Sequence, residues 1–189
     1  MTAVAAPRLP IPSFAEVYDE HFGFVWRTVR QLGVQGATID DVVQETFIVV
    51  HRRLAEFEGR SSLKTWLYGI VRRIVRDERR RVTRKPTSPV DDYDAIAGEG
   101  HDPGNQAERA EAARLLLRLL AELSDDRREV FVLVELEQMT APEVAEATGT
   151  NVNTVYTRLR AARGDFAAAV ERHRARDAAF VVTAGQEGT

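Results

Sequence analysis

The chain has 189 residues, 44% of them apolar and 29% charged, with a formal net charge of −3 at pH 7. This composition fits a soluble, core-forming protein, and no stretch approaches the ~20 apolar residues that a membrane-spanning helix needs. The absence of cysteine excludes disulfides and thiolate metal sites; the four histidines, His21, His51, His101 and His173, do not share a helical turn, so no metal or other cofactor is expected.

Residues 1–13 carry Pro7, Pro10 and Pro12 and lack a basic start followed by a long apolar run. They read as a disordered lead rather than a secretion signal, so a cytoplasmic protein without membrane insertion is expected. Phe14, Val17, Tyr18, His21, Phe22, Val25, Val29 and Leu32 then recur at three- and four-residue steps and predict an amphipathic helix ending near Gly33. Thr38 with Asp41 three residues on resembles an N-terminal cap. It opens a second helix with Ile39, Val43, Phe47, Val50, Leu54 and Phe57 on one face. After a short loop around Glu58, Gly59, Arg60 and Ser61, a third helix is predicted from about Ser62 to Arg81, with Leu63, Leu67, Ile70 and Ile74 buried.

Glycine, proline and acidic residues cluster between Lys85 and Asn105, which marks a flexible acidic linker over residues 85–110. Helical periodicity resumes with Ala112, Leu115, Leu116, Leu119, Leu120 and Leu123. Ser124 is placed to cap a helix carrying Val130, Phe131, Leu133 and Val134. Thr140, Ala141, Pro142 and Glu143 form a capping box with proline near the helix start, Gly149 stops that helix, and Asn151 caps the next. The expected fold is therefore all-α. A first helical domain spans residues 14–84, a second spans residues 111–173, and a tail covers residues 174–189.

A helix-turn-helix needs a small residue in its first helix, a glycine in the left-handed turn and an apolar anchor in its second helix. Ala145, Gly149 and Val155 have that spacing, with Val144 and Leu159 adding core contacts. Asn153, Thr157 and Arg160 then face outward, flanked by Tyr156, Arg158 and Arg163, in position to meet bases and phosphates of a major groove. On the third helix, Tyr68, Arg72, Arg76 and Arg79 lie opposite the apolar stripe with Lys64 beside them, a ridge that suits phosphates or a solvated face. Trp66, at the edge of the stripe, fits either a core position or a base-stacking platform. On the second helix Asp41, Gln44, Glu45, Ile48 and Arg52 point away from the stripe, an aliphatic residue among polar ones, as at many protein contacts.

Three runs carry a more specific signal: Asp41-Val42-Val43-Gln44-Glu45-Thr46-Phe47, Phe57-Glu58-Gly59-Arg60 and Leu63-Lys64-Thr65-Trp66-Leu67. They resemble the second region of extracytoplasmic-function (ECF) sigma factors, and the acidic linker and Thr154-Val155-Tyr156-Thr157-Arg158-Leu159 resemble the remainder, over about Phe14 to Arg172. The resemblance implies a subunit that binds core RNA polymerase, recognises promoter DNA and promotes melting. It implies that Asp41, Gln44, Glu45 and Ile48 dock on the clamp helices of the largest polymerase subunit. It implies that Phe57, Gly59, Arg60, Ser61, Lys64, Trp66, Tyr68, Arg72, Arg76 and Arg79 engage the minus-ten element. Asn153, Thr154, Tyr156, Thr157, Arg158, Arg160 and Arg163 would read the minus-thirty-five element. An anti-sigma partner is likewise implied. Arg73 stands where the family usually has asparagine, and Ala161 where it usually has arginine. The competing reading is a stand-alone helix-turn-helix regulator. An enzyme is not expected, because phosphate-binding glycine loops, paired metal-ligand motifs and nucleophile motifs are missing from the sequence.

Overall fold

The structure, a computed structural model, describes residues 11–84 and 103–186, and every regular element among them is helical. Helix α1 (Phe14–Gln31) opens on a reciprocal cap that the sequence reading missed. The Glu16 amide donates to the Ser13 hydroxyl (3.3 Å) and the Ser13 amide to the Glu16 carboxylate (2.7 Å), satisfying two donors that the first turn would leave unpaired.

Helix α2 (Thr38–Arg53) does not use the cap expected at Thr38. Its N-cap is Ala37, already in helical conformation, with no side-chain cap bond. A capping side chain reaches the free amides only from extended backbone. Here a tight turn, in which the Ile39 amide donates to the Gly36 carbonyl (3.1 Å), delivers Thr38 into the helix. Asp40 and Asp41 in the first turn complement the positive end of the helix dipole instead. A short 3₁₀ turn (Leu54–Glu56) follows, and a loop then leads into helix α3 (Leu63–Arg84).

Helix α4 (Pro103–Ala121) begins inside the segment read as linker. Proline suits a first helical position, and Ala107, Glu108, Arg109, Ala110 and Glu111 are mostly strong helix formers. The rest of the expected linker, residues 85–102, lies outside the described residues, as does most of the expected N-terminal lead, residues 1–10. Helix α5 (Asp125–Phe131) starts at Ser124, whose backbone is extended but whose hydroxyl makes no cap bond. It runs into a wide π turn (Val132–Leu136), in which the Glu137 amide reaches back to the Val132 carbonyl (2.9 Å). Helix α6 (Ala141–Thr148) bears the predicted capping box, with Thr140 and Glu143 bonded in both directions. Helix α7 (Val152–Gln186) continues through most of the expected tail; the last three residues are not described.

The apolar faces close over one another across the two halves of the chain. One buried cluster runs from Val17, Val25 and Val29 of α1 through Phe47 and Val50 of α2 and Leu67 and Val71 of α3 to Val130, Leu133, Val144 and Val155. Helix α3 packs directly against α6, and α1 touches α4. A smaller cluster of Leu120, Leu123, Phe131, Val132 and Ala162 joins α4, α5 and α7, with Phe131 and Phe166 stacked at 4.6 Å. Each fully buried Val or Leu contributes about 1.5–3 kcal/mol relative to exposure.

The turn between α6 and α7 depends on one backbone conformation. Gly149 has φ +66°, the left-handed region that an L side chain enters at a cost of about 1–2 kcal/mol. Nothing lies within 4 Å of the position a Cβ would take there, so the penalty of Gly149→Ala is backbone strain alone. That variant is expected to lose about 1–2 kcal/mol of stability, read as a lower urea midpoint at an unchanged denaturant slope.

Candidate nucleic-acid interface

Helices α6 and α7 form the helix-turn-helix that the spacing predicted. Ala145 and Val155 are buried against one another's helices, Val144 and Leu159 complete the contact, and Gly149 makes the turn. The Asn153 amide donates to the Asn151 side-chain oxygen (2.8 Å), which fixes the start of α7. Asn153, Tyr156, Thr157 and Arg160 are exposed, Tyr156 by 56%, and Thr154 is half-buried. The Thr157 hydroxyl donates to the Asn153 carbonyl (2.9 Å), which leaves its oxygen lone pairs and methyl group facing outward. The flanking arginines are held by acids. Arg158 pairs with Asp126, and Arg163 donates twice to one Glu135 oxygen (2.8 and 2.6 Å). Arg160 therefore presents its guanidinium from the exposed face, whereas Arg158 and Arg163 are engaged by carboxylates.

The face of α2 expected to bind polymerase is exposed as read. Asp41, Gln44 and Glu45 are open to solvent and Ile48 is 44% exposed. Beside them a cleft of about 640 Å³ runs between α1 and α2, walled by Phe14, Tyr18, Phe22 and Phe47 and edged by Asp41, Gln44 and Arg52. The side chains combine an aromatic floor with a charged rim, the anatomy of a protein-docking surface.

The loop before α3 builds a second, smaller cleft of about 240 Å³ lined by Glu56, Phe57, Glu58, Arg60, Ser61 and Trp66. The Phe57 and Trp66 rings lie 5.4 Å apart and inclined at 53°, and Gly59 turns the loop at φ +68°. Trp66 meets the core expectation in part and is not sealed within it. It is half-buried against the core and forms one wall of an open cleft. Arg73 lines a separate groove between α2 and α3, opposite Arg53 and next to Trp66.

The expected basic ridge on α3 is not a continuous solvent-facing surface. Tyr68 is completely buried, a correction to its placement on an outward ridge. Its hydroxyl donates to Glu129 of α5 (2.6 Å). Arg72 donates to both oxygens of the same carboxylate, Arg79 pairs with Asp125, and Lys64 donates to the Glu137 carbonyl oxygen. Arg76 is exposed. Burial, with Glu129 alongside, pushes the Tyr68 phenol well above its ordinary value. Burial also disfavours the Arg72 cation, but the hydrogen bond and charge of Glu129 more than offset it, and its pKa lies above the usual guanidinium value.

Sequence reasoning missed the residues that engage this ridge. Glu129 and Glu137 are 7% and 3% exposed, and Glu137 also accepts two bonds from Arg27 of α1 (both 3.1 Å). A signal was present: Glu129, Leu133 and Glu137 follow one another at four-residue steps, so two carboxylates share the face of a core leucine. Arg128 was also missed. It is buried and donates to the carbonyls of Leu120 (2.7 Å), Ala121 (3.0 Å) and Leu123 (3.1 Å), closing the end of α4. Burial, and then the nearby Arg79 charge, lower its pKa.

Comparison with known proteins agrees with this arrangement. The Sigma-70 region 2 family matches residues 17–85, and the family described as Sigma-70, region 4 matches residues 113–165. The chain is 33% identical over 141 residues to the ECF RNA polymerase sigma factor SigC of Mycobacterium tuberculosis (strain CDC 1551 / Oshkosh), covering 74% of this chain and 73% of that protein. It is 27% identical over 151 residues to the RNA polymerase sigma factor YlaC of Bacillus subtilis (strain 168), covering 79% and 85%. Among solved structures, CnrH in complex with the cytosolic domain of CnrY superposes with a TM-score of 0.64 at 26% identity, over 84% of this chain and 88% of that one. With both sigma regions in order along one chain and a third of the aligned residues shared with SigC, the chain belongs to the ECF RNA polymerase sigma factors.

Proposed function

We infer that this chain directs core RNA polymerase to promoters as an ECF sigma factor and supports strand separation there. The observation that carries the reading is the exposed face of α7, where Asn153, Tyr156, Thr157 and Arg160 project from a helix fixed by the Gly149 turn. In this reading α7 enters the major groove of the minus-thirty-five element. Arg160 is the candidate for a bidentate base contact, and Arg158 and Arg163 hold phosphates. The Phe57, Trp66 and Arg60 cleft takes a base flipped from the melted minus-ten strand, because an aromatic wall with a nearby cation suits an unstacked base and its backbone. Lys64, Arg72, Arg76 and Arg79 supply backbone contacts on the same helix, and Asp41, Gln44, Glu45 and Ile48 meet the polymerase clamp helices.

The chain works in the cytoplasm, beside polymerase and DNA, and the bond-making chemistry belongs to the polymerase. This chain contributes recognition rather than catalysis. No helix among the described residues is long and apolar enough to cross a membrane. An anti-sigma protein is part of the same reading, since the related CnrH is known bound to the cytosolic domain of CnrY.

Transcription from a library of candidate promoters is expected to start when the chain is added to core enzyme. Silence across the library, together with tight binding of a palindromic duplex by the chain alone, would favour a stand-alone regulator instead. Asp41→Lys with Glu45→Lys is expected to abolish co-purification with core polymerase while leaving the circular dichroism spectrum unchanged, since both side chains are exposed. Undiminished co-purification would remove this face from the docking surface. Arg160→Ala is expected to weaken binding of the minus-thirty-five duplex by about 1–3 kcal/mol. An equal loss on scrambled duplexes would reduce its role to a phosphate contact.

A further inference from the structure

The polar contacts between the two halves of the chain have one consistent polarity. The first half offers Arg27, Lys64, Tyr68, Arg72 and Arg79, and the second half answers with Glu137, Glu129 and Asp125. Two of the acids are almost completely buried. Burying a carboxylate costs several kcal/mol unless cations and hydrogen bonds compensate, so Glu129 and Glu137 can occupy these positions only while the halves are closed. The chain also adopts unfavourable local geometry to deliver one of them. Glu137 follows the π turn, and Gln138 after it takes φ +56°, the one positive φ of a non-glycine residue among those described. Non-glycine residues rarely enter that region, because the Cβ crowds the backbone there.

The cations engaged in this way overlap with those assigned to promoter contact. Arg72 and Arg79 each bind a carboxylate, and Lys64 lies 3.7 Å from a Glu137 oxygen. A carboxylate and a phosphate compete for the same guanidinium geometry. We propose that Glu129 and Glu137 form an intramolecular latch that closes the second half over α1 and α3, occupying the cations that would otherwise hold nucleic-acid phosphates. The closed chain and the strand-holding chain are therefore alternatives, and promoter engagement requires the latch to open. The second part of this proposal rests on the assignment of Lys64, Arg72 and Arg79 to strand contact. The first part does not.

Because the sequence contains no cysteine, Ala55→Cys and Ala168→Cys, both at exposed positions, allow donor and acceptor dyes to be placed on the two halves of the full chain. Energy transfer is expected to show a dominant narrow population for the parent protein and a broad, shifted one after Glu129→Gln with Glu137→Gln, at unchanged helicity. Binding of a labelled single-stranded minus-ten oligonucleotide, without polymerase, is expected to tighten by about tenfold, the factor that follows if the closed form holds about nine-tenths of the molecules. Should the double variant fail to fold, Arg27→Gln removes one cation from Glu137 at a half-exposed position outside the assigned DNA and polymerase contacts, and the same shift in transfer is expected. Unchanged transfer in the folded variants overturns the latch. Altered transfer with unchanged strand affinity overturns its competition with DNA and removes these cations from the strand-holding set, leaving the minus-thirty-five reading untouched.

Discussion

Neither half of this chain closes its own apolar surface. Three helices on one side and four on the other leave faces that find cover on each other, so Val130, Leu133 and Val144 continue the cluster begun by Val25, Leu67 and Val71. Small helical units bury a limited fraction of their surface alone, and joining them is the direct way to gain more. Once the apolar faces meet, polar groups left at their margin are costly unless they find partners. That requirement accounts for Tyr68 with Glu129, for Arg27 and Lys64 with Glu137, and for the placement of Arg79 beside Asp125.

The same constraint divides the basic residues into two kinds. Arg160 and Arg76 face solvent, whereas Arg72, Arg158 and Arg163 are bound to carboxylates. A count of lysine and arginine along the sequence cannot separate these kinds, because pairing is decided by residues distant in the chain. Helix α7 combines both. Its Asn153, Tyr156, Thr157 and Arg160 are exposed and are the base-reading residues of the proposed function, while its flanking arginines are already fixed in direction by Asp126 and Glu135.

Legibility followed the range of the interactions. The helix-turn-helix was readable because its determinants are local: the Thr140 and Glu143 cap, the left-handed Gly149 and the anchors Val144, Val155 and Leu159 lie within twenty residues and act through backbone geometry. The open face of α2 was readable from periodicity alone, since Asp41, Gln44 and Ile48 fall opposite Val43, Phe47 and Val50. Thr38 misled because a cap depends on the conformation of the entering chain, which the Gly36 turn sets. Tyr68 misled for a different reason. It lies opposite the core stripe of its own half, as periodicity indicated, but the second half covers that opposite face, with α6 packed on α3 and Glu129 of α5 meeting the hydroxyl, and no pattern internal to α3 reports this. The two carboxylates flanking Leu133 were visible at their four-residue spacing, yet their meaning depends on cations some sixty to a hundred residues away.

A protein that reads DNA while carrying a net charge of −3 meets phosphates against an unfavourable overall charge, and the pairing of its arginines adds to that restraint. Non-specific affinity grows with the number of phosphates a protein can neutralise, because each contact releases counterions. An arginine already bound to a carboxylate gains less from a phosphate, since the first bond must be given up. Intramolecular pairing therefore lowers the phosphate contribution to binding on any DNA, and in the proposed function the base contacts from α7 then supply a larger share of the total. What matters for finding a promoter among many competing sites is the ratio of specific to non-specific affinity and not the absolute affinity. In the proposed function the acidic residues take part in recognition alongside the basic ones: Asp126 and Glu135 hold Arg158 and Arg163, so any phosphate contact these arginines make must displace a carboxylate, whereas exposed Arg160 carries no such restraint among the described residues.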